Sequence, residues 1–257
     1  MVARSIVITG ASSGLGAALA QAYAAPGVVL GLVGRNEKRL AAVVGACREA
    51  GATVEEALID VAERVPLEAW LIPFDRRYSV DVVIANAGIS AGPPAGSASE
   101  HADLTTRQIA VNLLGAVHTI APLLPAMAAR GQGRVALIAS LAAYRGLPYS
   151  PGYCASKAGL RAYGEALRAL AEPHGVGVTV VCPGFFASPM TDRWDGPTPF
   201  VISGVRAACK IKRAIDGGRR RISFPWPMVL GMQICDALPA MIGDRILRGF
   251  RFQIRSA

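Results

Sequence analysis

Cysteine is scarce and unpatterned: the 257 residues hold five, with no C-x-x-C pair. That argues against a disulfide framework and a zinc ribbon, and it fits a reduced, cytoplasmic protein. Histidine is scarcer still. His101, His118 and His174 stand far apart in the sequence, so no metal is expected, and each reads as a surface or internally satisfied imidazole. Aromatic residues make up 6% of the chain and are not interleaved with basic runs, which argues against a nucleic-acid partner. Charged residues reach only 18% against 52% hydrophobic ones, a balance that supplies a large core and excludes intrinsic disorder. The 28 glycines and 17 prolines follow no period, which excludes collagen-like and low-complexity chains. No signal-peptide cleavage pattern is expected, because Met1 leads directly into the strand-like Ser5-Ile6-Val7-Ile8.

Acidic residues are thin in one region in particular. Positions 206–257 carry 11 of the 27 Lys and Arg but 3 of the 18 Asp and Glu, hence +8 of the formal +9, and positions 1–205 are left with +1. The excess charge belongs to a C-terminal stretch and is not spread over the whole chain.

What is present is alternation. Short β-branched runs at 5–9, 28–33, 53–59, 80–85, 134–139 and 176–182 read as strands. Longer stretches at 14–25, 36–50, 102–130 and 152–173 read as helices. Near-continuous apolar strands such as Asp81-Val82-Val83-Ile84-Ala85 suit a sheet buried on both faces. The order predicts an α/β fold, a doubly wound parallel sheet with right-handed crossovers, and the length suits one such domain. Pro189, Gly196, Pro197 and Pro199 mark 185–199 as a loop able to lie over a site.

Two motifs carry chemistry. The first strand ends in Thr9-Gly10-Ala11-Ser12-Ser13-Gly14-Leu15-Gly16 and opens a helix. Glycine lets backbone amides approach a pyrophosphate, whose charge the helix N-terminus favours; a purely structural turn is the alternative. The second motif is Ser140 at a strand end, Tyr153 thirteen residues on, and Lys157 four further. On a helix starting near Gly152, positions 153 and 157 share a face. There an ammonium lowers the pKa of a neighbouring phenol and brings it into acid–base range. The alternative is a packed tyrosine beside a solvated lysine.

Together with Asp60-Val61, Asn86-Ala87-Gly88, Asn112 and Pro183-Gly184, these pieces resemble the short-chain dehydrogenase/reductase family over about residues 3–205. The resemblance implies a Rossmann-like single domain, a nicotinamide cofactor, and hydride transfer at a carbon bearing oxygen. It implies that Tyr153 is the general acid/base, that Ser140 holds the substrate oxygen, and that Lys157 lowers the Tyr153 pKa and binds the nicotinamide ribose. It further implies that Asn112 supports a water-linked proton relay. Cofactor contacts are expected from Thr9, Gly10, Ser12, Ser13, Gly14, Leu15 and Gly16, from Asp60 and Val61, and from Asn86, Ala87 and Gly88. Tyr153, Lys157, Pro183, Gly184 and Phe186 complete the set with Ser188, which stands where the family usually has threonine.

Leu32-Val33-Gly34-Arg35-Asn36 places glycine where NAD-preferring members carry an acid, with Arg35 next and Arg39 one turn on. Guanidinium binds a 2′-phosphate that an acid would repel, so NADP(H) is expected over NAD(H). The substrate is expected to be a hydrophobic carbonyl compound or alcohol, because Phe185, Phe186, Met190, Trp194 and Phe200 lie in the loop and Leu141, Tyr144 and Leu147 follow Ser140. No arginine or lysine is clearly placed to clamp a substrate carboxylate; Arg145 and Arg193 are the two left open. A homodimer or homotetramer follows from the resemblance, with 102–130 and 152–173 at the dimer interface.

The reading divides the chain into an oxidoreductase domain at 1–224, with a substrate loop at 185–205, and an atypical extension at 225–257. Positions 219–224 suit a last strand. Prolines 225, 227 and 239, with Gln233 and Asp236, argue against a bilayer-spanning helix in the extension. Positions 244–255 predict an amphipathic helix, with Arg245, Arg248, Arg251 and Arg255 on one arc and Ile246, Leu247, Phe250 and Ile254 on the other. Two readings stay open: peripheral contact with an anionic membrane, or a segment folded over its own pocket or a neighbouring subunit. For the whole protein, a redox-silent NADP-sensing regulator and a membrane-surface assembly protein on the same fold are the alternatives to an enzyme.

Overall fold

In β1 (Ser5–Thr9) Ile6 and Ile8 face one side of the sheet and Val7 the other, and all are fully buried. The same period-2 split recurs in β4 (Val82–Ala85), β5 (Gly133–Ile138) and β6 (Val176–Pro183), which is why these runs are largely apolar on both faces. The computed structural model describes residues 4–94, 96–250 and 252–254. With β2 (Val29–Gly34), β3 (Thr53–Leu58) and β8 (Arg221–Phe224), these strands form a seven-stranded sheet, all pairs parallel, in the order β3-β2-β1-β4-β5-β6-β8. Strand order reverses between β1 and β4, and a crevice opens there at the carboxyl ends of the strands.

Two cores flank the sheet. One is covered by α1 (Gly14–Tyr23), α2 (Glu37–Glu49) and α8 (Gly204–Asp216). The other is covered by α3 (Arg64–Tyr78), the 102–129 segment and α7 (Pro151–Ala171). Expected and observed strand ends agree within two residues. Two of the helices that flank the sheet were not anticipated. α3 carries Pro73 in its interior yet buries Leu67, Leu71 and Phe74 on one face. α8 buries Ala207, Ala208, Ile211, Ala214 and Ile215 on one face, with Arg206, Lys210, Lys212 and Arg213 interspersed in its sequence.

The single helix expected over 102–130 is instead broken into α4 (Ala102–Ile109), a π-helical turn at Ala110–Leu114, α5 (Gly115–Ile120) and α6 (Leu124–Ala129). By length and composition this run is apolar enough to cross a membrane. Its inward residues Val111, Ala116 and Ile120 nevertheless belong to the core beside the sheet.

The amphipathic helix expected over 244–255 is corrected. Past β8 the chain forms α9 (Trp226–Ala237) and α10 (Ala240–Arg248), and the latter ends at Gly249. It then turns back into β9 (Gln253–Ile254), antiparallel to β7 (Trp194–Asp195) of the substrate loop. Arg245 and Arg248 are exposed on α10, whereas Arg251 and Arg255 lie outside the described residues. The described part of the extension thus packs on the chain's own substrate loop.

Candidate active site

The glycine turn is built by close approach. Gly10 has φ +68°, and a Cβ there would lie 2.7 Å from the Ala87 Cα. A Cβ on Gly16 would lie 2.2 Å from the Gly10 carbonyl oxygen, so only glycine lets α1 sit this tightly on β1. Asn86 sutures the switch point: its Nδ2 donates to the Thr9 carbonyl at 2.9 Å, and its backbone N–H donates to Thr9 Oγ1 at 3.2 Å. Ser13, the N-cap of α1, makes no side-chain capping bond, and the first turn holds no acid. The helix therefore presents amide donors that no side chain caps, which is the local chemistry of an anion site.

A cleft of about 960 Å³ runs along this edge. Gly10, Ser12, Ser13, Gly14 and Leu15 line one stretch, with Arg35, Arg39, Asp60, Val61, Asn86, Ala87 and Gly88. Ser140, Tyr153, Lys157, Pro183, Gly184, Phe186 and Ser188 line the next. Three expected contacts lie behind this wall. Thr9 is buried and accepts from Asn86 and Ala87, Gly16 packs on the turn, and Asn112 is fully buried.

The π-turn brings Asn112 under β4. Its Oδ1 accepts from Ile89 N at 2.7 Å, and its Nδ2 donates to the Ile89 carbonyl and to Ser156 Oγ, each at 2.9 Å. The side chain expected in a proton relay is thus committed to tying the end of β4 to α7. Lys157, one turn beyond Tyr153, is buried, and its ammonium donates to the Ile138 carbonyl at 2.7 Å. Its Nζ lies 5.9 Å from the Tyr153 ring centroid. Ser140 accepts from Ala142 N at 3.1 Å, and its hydroxyl is near enough to the Tyr153 phenol to favour the phenolate.

The electrostatics differ from the expectation. Burial pushes the Tyr153 phenol up to about 12, partly offset by the Ser140 hydroxyl, and no lowering by Lys157 emerges in this arrangement. Burial also brings the Lys157 ammonium down to about 8. At 5.9 Å, with the ammonium turned to the Ile138 carbonyl, desolvation of both groups outweighs their mutual attraction.

At the far end Asp60 is paired on two sides, by Arg35 Nη1 at 3.3 Å and by Arg107 of α4. Burial raises its carboxyl pKa, but the Ala62 N–H and these guanidinia outweigh that and hold it below the ordinary range. Arg107 was not anticipated, since only the topology brings α4 to this corner. His118 is a satisfied imidazole whose Nδ1 sits 3.0 Å from the Val61 carbonyl oxygen. Thr191, also unanticipated, donates to the Phe186 carbonyl at 2.7 Å and contacts the Ser188 hydroxyl at 3.1 Å, which fixes the start of the loop. Neither candidate carboxylate clamp lines the cleft: Arg145 pairs with Asp244 at 2.6 Å, and Arg193 donates to the Ser90 carbonyl at 3.1 Å.

A doubly wound parallel sheet with a glycine turn at its switch point, and a serine, tyrosine and lysine across the cleft, defines a dinucleotide-dependent class of oxidoreductase. Residues 4–197 match the short chain dehydrogenase family. An uncharacterized oxidoreductase of Myxococcus xanthus (strain DK1622) is 33% identical over 249 residues, covering 96% of this chain and 98% of that protein. The granaticin polyketide synthase putative ketoacyl reductase 1 of Streptomyces violaceoruber is 36% identical over 191 residues, covering 73% and 69%. Among solved structures, an actinorhodin polyketide ketoreductase with NADPH aligns at TM-score 0.77 with 26% identity, covering 88% of this chain and 97% of that one. A short chain dehydrogenase from Mycobacterium paratuberculosis bound to NAD aligns at 0.75 with 22% identity, covering 86% and 95%. The chain belongs to the short chain dehydrogenase family and is an NAD(P)-dependent oxidoreductase.

Proposed function

We propose that the protein interconverts a carbonyl and a secondary or primary alcohol on a hydrophobic substrate, with NADP(H) preferred over NAD(H) and Tyr153 as general acid/base. The observation that carries this reading is the Tyr153 phenol, facing Ser140 and one helical turn from the Lys157 ammonium, in the same cleft as the glycine turn. The turn and the uncapped start of α1 fit a pyrophosphate, and Gly88 fits a close approach, since a Cβ there would lie 3.3 Å from Lys157 Nζ. Bound in this cleft, the reduced nicotinamide supplies the hydride.

In the reducing direction Ser140 donates a hydrogen bond to the substrate oxygen, and Tyr153 delivers its proton there as alkoxide charge develops. A phenol of raised pKa holds that proton until an alkoxide draws it. Lys157 supplies positive charge beside the resulting phenolate and a donor for the cofactor's ribose. Asn112 acts on this set by position. Reduction of a carbonyl also agrees with the relatives named as ketoacyl reductases.

Preference for NADP rests on Gly34, Arg35 and Arg39. A Cβ on Gly34 would lie 3.1 Å from that of Ser12, so an acidic side chain is crowded out, while both arginines are exposed at the mouth of the cleft. A carbonyl panel with NADPH beside a Tyr153→Phe control tests the enzyme reading; equal NADPH consumption by both proteins contradicts the role of Tyr153, and none by the wild type favours the redox-silent regulator.

We further propose a cytoplasmic homo-oligomer, with Leu104 and Leu114 among the exposed apolar residues of the expected interface. Sedimentation at micromolar concentration checks it, a monomer being the contrary result. We divide the chain at 224, with 225–257 as an extension whose described residues border the cleft. For its outer face we propose peripheral contact with an anionic membrane. Trp226, Leu230 and Ile234 form an exposed stripe on α9, Met241 and Ile242 extend it on α10, and the surrounding segment carries the basic excess. Co-sedimentation with anionic but not neutral vesicles is the expected result; no binding to anionic vesicles ends this reading.

A further inference from the structure

We infer that the substrate half of the cleft takes an uncharged molecule with an extended apolar body, and that residues 226–254 set its length. The inference rests on the carbonyl–alcohol reading above and deepens it. The charged residues that line the cleft, Arg35, Arg39, Asp60 and Lys157, all lie on the dinucleotide side or in the catalytic set. Beyond Ser140 and Tyr153 the described lining carries no Asp, Glu, Lys, Arg or His.

The far wall comes from the extension. α9 is two-sided: Met228, Met232 and Cys235 line the cleft at i, i+4 and i+7, while Trp226, Leu230 and Ile234 face outward. α10 adds Leu247, and β9 adds Ile254. Part of the lining is a cluster of rings from the loop and from the segment after α10. Phe252 stacks on Trp194 at 3.8 Å between centroids and 15° between planes, and Phe185 meets Trp194 edge-on at 5.0 Å. Among the described residues, Arg145 is engaged by Asp244 and Arg193 by the Ser90 carbonyl. A carboxylate or phosphate here would lose its water and gain no cation from the described lining, a heavy penalty, whereas each methylene buried against methionine, leucine and phenylalanine adds affinity.

The test uses the full chain with NADPH, methyl ketones of increasing chain length, and the matching ketones ending in a carboxylate. The expected kcat/KM rises about three- to fourfold per methylene until the chain meets the Trp194–Phe252 wall, and the terminal carboxylate lowers it at least about 100-fold. Phe252→Ala moves the optimum to longer chains, and Met232→Arg raises the carboxylate series relative to the neutral one, each seen mainly in KM. A flat length profile, or a preference for carboxylates in the wild type, overturns the inference. If no ketone is reduced, the carbonyl reading itself fails, and calorimetry of the same ketones on the NADPH-loaded protein still decides the pocket. Length-dependent binding of neutral chains supports the assignment, and absence of binding overturns it.

Discussion

The two halves of the cleft are made by different means. The dinucleotide half is built from strand ends and backbone: a glycine at positive φ, the Asn86 suture, and the Asp60 carboxylate between Arg35 and Arg107. The substrate half is built from side chains that meet across long sequence distances: Trp194 on Phe252, Met228 and Met232 against the core cluster that holds Leu141, and β9 pairing with β7. The first half is polar and has little freedom, because backbone amides and carbonyls fix it. The second is apolar and rests on packing, which tolerates exchange of one hydrophobic residue for another. Chemistry common to a family belongs in the first kind of wall, and choice of substrate belongs in the second.

Four changes break or sharpen that contrast. The largest effect is expected from Tyr153→Phe: turnover falls about 1,000-fold through loss of the proton donor, while NADPH affinity, measured by fluorescence titration, moves less than about twofold. A parallel loss of both would mean the two halves are not separable.

Next comes pH. Burial holds Lys157 near 8 in the folded protein, against its ordinary 10.5. Between those values the unfolded chain keeps the proton that the folded chain has released, so stability rises with pH in that window. Denaturant unfolding of cofactor-free protein at pH 7.5 and 9.5 should show the wild type gaining about 2 kcal/mol relative to Lys157→Met. Parallel curves for the two proteins would contradict it. Tyr153, raised to about 12 from 10, acts in the opposite sense between pH 10 and 12.

Arg35→Ala comes third. It removes charge-assisted donors for a 2′-phosphate, so NADPH should weaken by about tenfold or more and NADH by less than about threefold. Equal losses would mean Arg35 serves Asp60 alone. The smallest effect is local. Phe252→Ala removes a ring stack worth about 1 kcal/mol, so amide exchange should quicken around Trp194 and stay unchanged in β1 and β4. A global increase would make β9 part of the main fold.

The same contrast explains what could be read before the fold was seen. The β1 run, the glycine turn and the Ser140–Tyr153–Lys157 spacing were legible because backbone geometry and helical phase fix residue types at fixed offsets. α3 was hidden by its interior Pro73, and α8 by its basic residues, although Ala207, Ile211 and Ala214 keep helical spacing. Arg107 and the π-turn under Asn112 carry no local signal, since their partners Asp60 and Ile89 lie 47 and 23 residues away. In the extension the apolar–basic pattern was real, but its phase was continued through Gly249. The chain stops there as a helix and spends Phe252 and Ile254 on the substrate loop.

The central claim is hydride transfer to a carbonyl carbon in a cleft whose proton donor is Tyr153. It is tested most directly by incubating the protein with an apolar methyl ketone and NADPH deuterated on the reactive face of nicotinamide C4, then weighing the alcohol by mass spectrometry. The account predicts one deuterium on the carbinol carbon for the wild type and almost no alcohol for Tyr153→Phe. Unlabelled alcohol from the wild type, or labelled alcohol formed equally fast by the variant, would contradict it.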